Sequence, residues 1–374
     1  METAIITDFL NQFGGAEIVT HEIAKLFPHA DIYTMFATEE ISEKYFPDHQ
    51  VIQHPKFEES FLRQKFYRKL FPFYPTYIED FDLKEYDLII SSSYLWAKGV
   101  LCQPDATHIS YVHTPIRQAW VKYHDYLYRE NDVGKLTRPL LRFVMNYIRL
   151  WDIISTNRVD HFIANSSVVK KRIEQIYRRS AQVIHPPIEI KRLKKNISEQ
   201  KEDYFITIGR LVPYKRVDVM IQAFNQMSDK KLLILGDGND RDRLSNLVQS
   251  SNIELLGFVS EEKKIDLLSK AQAFLFCAEE DFGMSPVEAL AMGIPVIGFQ
   301  QGGTVDYLQD GINGITFSDQ NPKSLMNAIS KFKEIHFDSR KISASVDQFD
   351  TSNFKAKLSE FINEKVGDEV CNIN

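Results

Sequence analysis

The sequence predicts an α/β protein of two Rossmann-like domains facing a central cleft, and three observations predict it. Short apolar runs of strand length alternate with helical periodicity from end to end, the pattern of parallel sheets covered by helices. A chain of 374 residues exceeds one ordinary core and suits two. Paired prolines at Pro186-Pro187, followed by a charged stretch from Lys191 to Asp203, mark a linker between two such series.

In order, Ala4–Thr7 reads as the first strand. It leads through Asn11-Gln12-Phe13-Gly14-Gly15 into a helix with Ala16, Val19, Ile23 and Leu26 on one face. Asp87–Ser91 and Thr107–Val112 read as strands, Arg138–Asp152 as a long helix, and His161–Ala164 as a strand before a helix from Ser167. The second series places strands at Phe205–Ile208, Lys231–Leu235, Ile253–Leu256, Phe274–Cys277 and Pro295–Phe299, with helices between. Ser352–Val366 reads as an amphipathic helix through Phe354, Leu358 and Ile362. The expected domains are residues 1–190 and 191–350, with 351–374 as a closing segment.

Hydrophobic content of 44% and charged content of 26% are those of a globular chain. A net charge of −6 argues against general nucleic-acid binding. Cys102, Cys277 and Cys371 show neither metal-ligand spacing nor a disulfide framework, which suits a reducing cytoplasm. The first residues lack a basic, apolar leader, and no run has the length of a bilayer span, so a cytoplasmic location is expected.

The most informative segment is Glu280-Asp281-Phe282-Gly283-Met284-Ser285-Pro286-Val287-Glu288. Ser285 suits an N-cap and Pro286 a first helical residue, so a helix is expected to start there. Its N–H groups and positive dipole end would suit a phosphate. Glu280 precedes the helix and Glu288 lies about one turn inside it, so the two carboxylates could reach opposite ends of a sugar–diphosphate–nucleoside. The spacing alone is also what an acidic loop capping a buried helix would show.

Gly209-Arg210-Leu211-Val212-Pro213-Tyr214-Lys215-Arg216 follows the first strand of the second series. Cations just after a strand end, beside a glycine, suit a diphosphate, although an exposed basic loop would read the same. Gly14-Gly15 at the first strand-to-helix turn permits close backbone approach, or is a plain turn. His113 closes the Thr107–Val112 strand in the block His113-Thr114-Pro115-Ile116-Arg117-Gln118-Ala119-Trp120. Gly236-Asp237-Gly238-Asn239 superficially suggests a phosphate loop but lacks a third glycine.

Together the Glu280–Glu288 spacing, the Met292-Gly293-Ile294-Pro295 run after it and the Gly209–Lys215 segment resemble the retaining group 1 / family 4 glycosyltransferases of the GT-B fold. The His113–Trp120 block resembles an H-T-P-x-R-x-x-W segment of bacterial members acting on surface polysaccharides, many with GDP-mannose. Gln118 stands where an aromatic residue is more usual. The resemblance implies that Arg210 and Lys215 bind the leaving diphosphate, with Gly283, Met284 and Ser285 offering the helix start. It implies that Glu280 holds and orients the donor sugar, Glu288 takes the ribose hydroxyls, and His113 hydrogen-bonds the sugar. Phe258 and Val259 would frame the nucleobase, Gly15 would lie near the donor phosphates and acceptor, and Asp8 would face the cleft. Gly302-Gly303-Thr304 would be the turn after the Glu288 helix, with Asp306 as its acid. The last helix is expected to cross back onto the N-terminal domain.

The implied reaction is hexosyl transfer from a nucleotide sugar to a glycan or lipid-linked acceptor in surface polysaccharide synthesis. No Asp-x-Asp sits at a suitable strand end, so neither metal nor other cofactor is expected. A nucleotide-sugar epimerase or a non-catalytic scaffold of the same fold is the alternative.

Lys56–Pro72 mixes Arg63, Lys65, Arg68 and Lys69 with aromatics, which suits an anionic membrane surface or a stripe packed on its own domain. Arg138–Arg149 has the same dual reading.

Overall fold

The structure, a computed structural model, describes residues 1–58, 67–128 and 137–367. Two compact units emerge: residues 1–187 with the segment from Ser352 onward, and Ile188–Thr351.

The first unit is built on seven strands: β1 (Thr3–Thr7), β2 (Asp31–Thr34), β3 (Val51–Gln53), β4 (Leu88–Ser93), β5 (Thr107–Val112), β6 (His161–Ala164) and β7 (Ala181–Val183). They lie in the order β3-β2-β1-β4-β5-β6-β7, every neighbouring pair parallel. Ile5 sits opposite Ile32 on one side and Ile90 on the other. β1, β4 and β5 are buried almost throughout because both faces of the sheet are covered, and β4 and β5 bury Ser91, Ser92, His108 and Ser110 among their apolar residues. β2, β3 and β7 escape a reading by pattern. They are three or four residues long, and Asp31-Ile32-Tyr33-Thr34 becomes a strand through its pairing with β1.

The second unit repeats the plan with β8 (Tyr204–Ile208), β9 (Lys231–Leu235), β10 (Ile253–Gly257), β11 (Ala273–Phe276), β12 (Val296–Phe299) and β13 (Gly314–Phe317). The order is β10-β9-β8-β11-β12-β13, again all parallel. In each unit the strand order reverses beside the first strand, at β1/β4 and at β8/β11. The ends of such strands form a crevice where ligands bind in doubly wound folds.

Two boundary expectations are corrected. The run from Lys191 to Asp203 is not a free linker: Ile190–Lys194 is a helix whose Ile190 and Leu193 are buried in the second unit's core. Ile188 already pairs with Asp350, and Thr351 N–H donates to Ile188 O at 3.0 Å. The Thr351–Val366 helix buries Phe354, Leu358, Phe361 and Ile362 against Ile5, Val19, Ile23 and Tyr111 of the first unit. Lys355 adds an ion pair to Glu22 at 3.3 Å.

Candidate functional site

The loop after β8 carries Gly209, Arg210 and Lys215 past the end of its strand. Gly209 N–H donates to Leu235 O at 3.0 Å and Leu211 N–H to Asp237 O at 2.9 Å, so the loop lies flat on the Gly236–Gly238 turn. Gly236 has φ +122, and a Cβ there would overlap the Gly209 carbonyl oxygen. The Gly236-Asp237-Gly238 turn therefore backs the basic loop. Arg210 is exposed, while Lys215 bends inward over a small pocket lined by Gly209, Arg210, Lys215, Phe276 and Ala278.

Glu280 reaches the same place from the loop after β11. Its carboxylate accepts a hydrogen bond from the Lys215 ammonium, each side chain 17% exposed. The cation and the acid thus meet at the β8/β11 reversal. Arg216 serves the loop itself. It is left-handed (φ +54), and its guanidinium donates to Gln320 Oε1 and Gln320 O at 3.2 Å. Gln320 Nε2 in turn donates to Cys277 O at 2.8 Å, which ties the basic loop to the start of the Glu280 loop.

The helix after Glu280 runs from Met284 to Ala291, with Gly283 as its N-cap. This corrects the expectation of Ser285 as cap and Pro286 as first helical residue. Gly283 adopts φ +85 and ψ 90, and a Cβ there would meet the Phe276 ring and the Tyr307 hydroxyl at 3.0 Å. Only glycine enters the helix this way, so Ser285 falls inside the first turn. The Tyr307 hydroxyl is buried and finds no hydrogen-bond partner among the described residues.

Glu288 projects from that helix 3.6 Å from Lys264 Nζ, and Lys264 also pairs with Glu261 at 2.8 Å. Burial pushes the Lys264 pKa down, but the Glu288 and Glu261 carboxylates outweigh it and hold the ammonium above its usual value. Lys264 lies in the Glu261–Lys270 helix, capped by Ser260 just beyond Phe258 and Val259. Sequence reasoning missed it, since one lysine among Glu261, Glu262 and Lys263 looks like any solvated helix face. Phe258 is fully displayed beyond edge strand β10, while Val259 packs on the core.

The Gly302–Asp306 turn holds Glu280 in place. Gly303 N–H donates to the Glu280 carbonyl at 2.8 Å. Gly302 (φ +79) presses so close that a Cβ would overlap that carbonyl oxygen. Asp306 ends this turn and is partly buried.

In the first unit Asp8 is corrected. It follows β1 and is fully buried, accepting the N–H groups of Tyr94, Leu95, Trp96 and Ala97 at 2.5–2.9 Å. Asp8 therefore seals the loop after β4, and both of its oxygens are taken by backbone amides. Gly15 is exposed as the first residue of the Gly15–Ala24 helix, and the Glu17 carboxylate takes the Gly14 N–H at 3.0 Å. His113 is partly buried past β5, with Nε2 2.9 Å from Ser92 Oγ and its backbone N–H on Ser93 O at 2.8 Å.

Arg63 and Lys65 lie outside the described residues. Of the aromatics around them, Phe57 and Tyr74 are buried and Phe71 packs on Trp96 at 4.8 Å, while Phe73 is exposed. Among the described residues no helix is long and apolar enough to cross a membrane. No group of three His, Cys, Asp or Glu side chains among them could hold a metal ion.

Two family profiles match in tandem: "Glycosyltransferase Family 4" over residues 13–192 and "Glycosyl transferases group 1" over residues 189–345. An uncharacterized glycosyltransferase of Methanocaldococcus jannaschii is 30% identical over 181 residues, 47% of this chain and 50% of that protein. The lipopolysaccharide 1,6-galactosyltransferase of Escherichia coli is 28% identical over 219 residues, 54% of this chain and 61% of the relative. The chain thus spans about half to three-fifths of the length of these relatives. The fold is also that of Anabaena HepE, crystallised with UDP: TM-score 0.70 at 18% identity, covering 97% of this chain and all of the other.

Proposed function

This chain belongs to the group 1 glycosyltransferases with the GT-B fold, and on that premise we propose that it transfers a hexosyl group from a nucleoside diphosphate sugar to a glycan or lipid-linked hydroxyl. The observation that carries the reading is the Lys215–Glu280 pair at the β8/β11 strand ends. Before the donor arrives, each group neutralises the other. The diphosphate then draws Lys215 away, beside Arg210 and the N–H groups of the Met284–Ala291 helix, where charge grows on the leaving oxygen. Glu280, released from the ammonium, accepts hydrogen bonds from the donor sugar and orients its anomeric carbon. Glu288, steadied by Lys264, accepts from the ribose hydroxyls, and the nucleobase lies along Phe258 and Val259.

The bond between the anomeric carbon and the diphosphate oxygen breaks as the acceptor oxygen bonds to that carbon from the same face. The acceptor proton passes to the leaving phosphate, so configuration is retained and no protein nucleophile is needed. The family resemblance supports a hydrogen bond from His113 to the sugar and a role for Gly15 toward the phosphates. Neither metal nor cofactor takes part. The His113–Trp120 block favours GDP-mannose as donor and a surface polysaccharide as product.

Donor turnover across GDP-, UDP- and ADP-sugars, with excess chelator in parallel, tests the reading. GDP-mannose should be consumed with a change in initial rate within about twofold on chelation. Preference for a UDP-sugar would move the donor assignment. A rate restored only by Mg²⁺ would overturn the metal-free mechanism, and epimerised sugar released without acceptor would overturn transfer itself.

A further inference from the structure

One face of the first sheet changes from apolar to polar at the ends of its strands. Ile5, Ile90, Tyr111 and Ile163 share a core with Val19 and Ile23 of the Gly15–Ala24 helix. Two residues further along each strand, on the same face, stand Thr7, Ser92, His113 and Asn165. The ladder carries on past β5 and β6, since His113 N–H donates to Ser93 O at 2.8 Å and Asn165 N–H to Val112 O at 3.3 Å. Val112 stands opposite Ala164, so His113 and Asn165 are neighbours across the strand pair, roughly 5 Å apart at the backbone.

The other members of this row have partners. Thr7 Oγ1 lies 3.3 Å from Thr20 Oγ1, and Ser92 Oγ lies 2.9 Å from His113 Nε2. Asn165 is only 6% exposed, yet its buried amide oxygen accepts from no group among the described residues. Nor is it the cap of the next helix, because Ser166 takes the Val169 N–H at 3.2 Å. A buried amide left unpaired destabilises the free protein, and a ligand that pairs with it relieves that cost. Threonine, serine and asparagine carry no charge, so the row suits neutral hydroxyls better than an anion. An amide matches a sugar hydroxyl in particular, because its oxygen accepts and its NH₂ donates.

We propose that Asn165 is a specificity-determining residue for the donor, its amide hydrogen-bonding one hydroxyl of the transferred sugar beside the hydroxyl taken by His113. The inference rests on the hexosyl-transfer reading and adds to it a residue that no motif marks. Neighbouring side chains on two parallel strands can reach two hydroxyls of one pyranose ring. A polar group built for a particular hydroxyl selects strongly, since it is left unpaired when that hydroxyl is missing.

The test sets Asn165→Ala against monodeoxy forms of whichever GDP-, UDP- or ADP-sugar the chain consumes. In the wild-type chain, removing the hydroxyl that Asn165 holds should lower kcat/KM by about tenfold to a hundredfold. Asn165→Ala should lower kcat/KM for the full donor by a similar factor and then be indifferent to the loss of that same hydroxyl. Penalties for the other hydroxyls should remain. The melting temperature should hold or rise, because the substitution removes an unpaired buried group. Should the alanine variant fail to fold, Asn165→Ser reads the same cycle. Unchanged kcat/KM in a folded variant, or every deoxy penalty kept, would overturn the inference while transfer stands. So would a raised KM for the acceptor alone, which would put an acceptor hydroxyl on Asn165. A wild-type chain that binds the donor by calorimetry without transferring its sugar would sink the transfer reading, and donor affinities would then carry the same cycle for Asn165. No donor binding at all would overturn both.

Discussion

The Lys215 ammonium donates to the Glu280 carboxylate across 65 residues of sequence, joining the loops after β8 and β11. The first unit has a counterpart at β1/β4, where Asp8 is the carboxylate. There four backbone amides saturate it and burial closes it off. The two units share a strand order, yet one reversal point holds an exchangeable ion pair and the other a sealed knot of hydrogen bonds. An exchangeable partner is what a ligand can displace.

If the pair is a placeholder for the donor, its two members should behave oppositely. Lys215→Met should weaken nucleoside diphosphate binding by on the order of 2–5 kcal/mol and leave the bare nucleoside unaffected. Glu280→Gln should tighten the nucleoside diphosphate by about threefold to tenfold, because a competitor for Lys215 is gone, while turnover collapses. Titration calorimetry with both ligands, alongside donor turnover, checks this. Parallel losses in both variants would show a damaged loop.

Gly302→Ala should disable the site from behind. A methyl group there meets the Glu280 carbonyl at a backbone of φ +79. We expect a stability loss of about 1–3 kcal/mol from strain and a fall in turnover beyond what that loss explains. Gly311→Ala is the control: φ is +76 but nothing lies within 4 Å of its Cβ. It should show the strain without the catalytic defect.

Asp8→Asn should cost about 2–4 kcal/mol of stability, since an amide turns an N–H group toward backbone donors and leaves them unsatisfied. Denaturant midpoints read the loss. Nucleotide affinity of the folded variant, by calorimetry, should stay within about twofold. A stable variant with a lost donor site would restore Asp8 to the ligand.

His108 gives the first unit a pH-dependent stability. It is fully buried, Nδ1 2.9 Å from Arg158 O and Nε2 2.8 Å from Ser91 Oγ, and burial pushes its pKa down to about 4. Unfolded histidine titrates near 6.5. Between those values the unfolded chain binds a proton that the folded chain refuses. The contribution is therefore intact above about pH 6.5 and falls away toward pH 4, by roughly 3 kcal/mol. Urea midpoints across this range should show that slope, and His108→Gln should remove this share of it. Equal slopes would mean that the imidazole is protonated in the fold.

The sequence by itself determined the α/β class, most strands of both sheets and the acidic and basic loops that become the site. Those signals are local: an apolar run such as Leu232–Leu235 must be buried, and glycines beside cations at a strand end restrict the backbone wherever they occur. Only the tertiary structure decided which charges face one another. It paired Lys215 with Glu280 and Glu288 with Lys264, retired Asp8 and Arg216 to structural work, and made Gly283 the helix cap. It also turned Phe57 and Tyr74 inward while leaving Phe143 and Leu150 uncovered. The reason is physical: pairing and burial depend on strands that meet across tens of residues. Spacing within one segment carries no information about its partner in space.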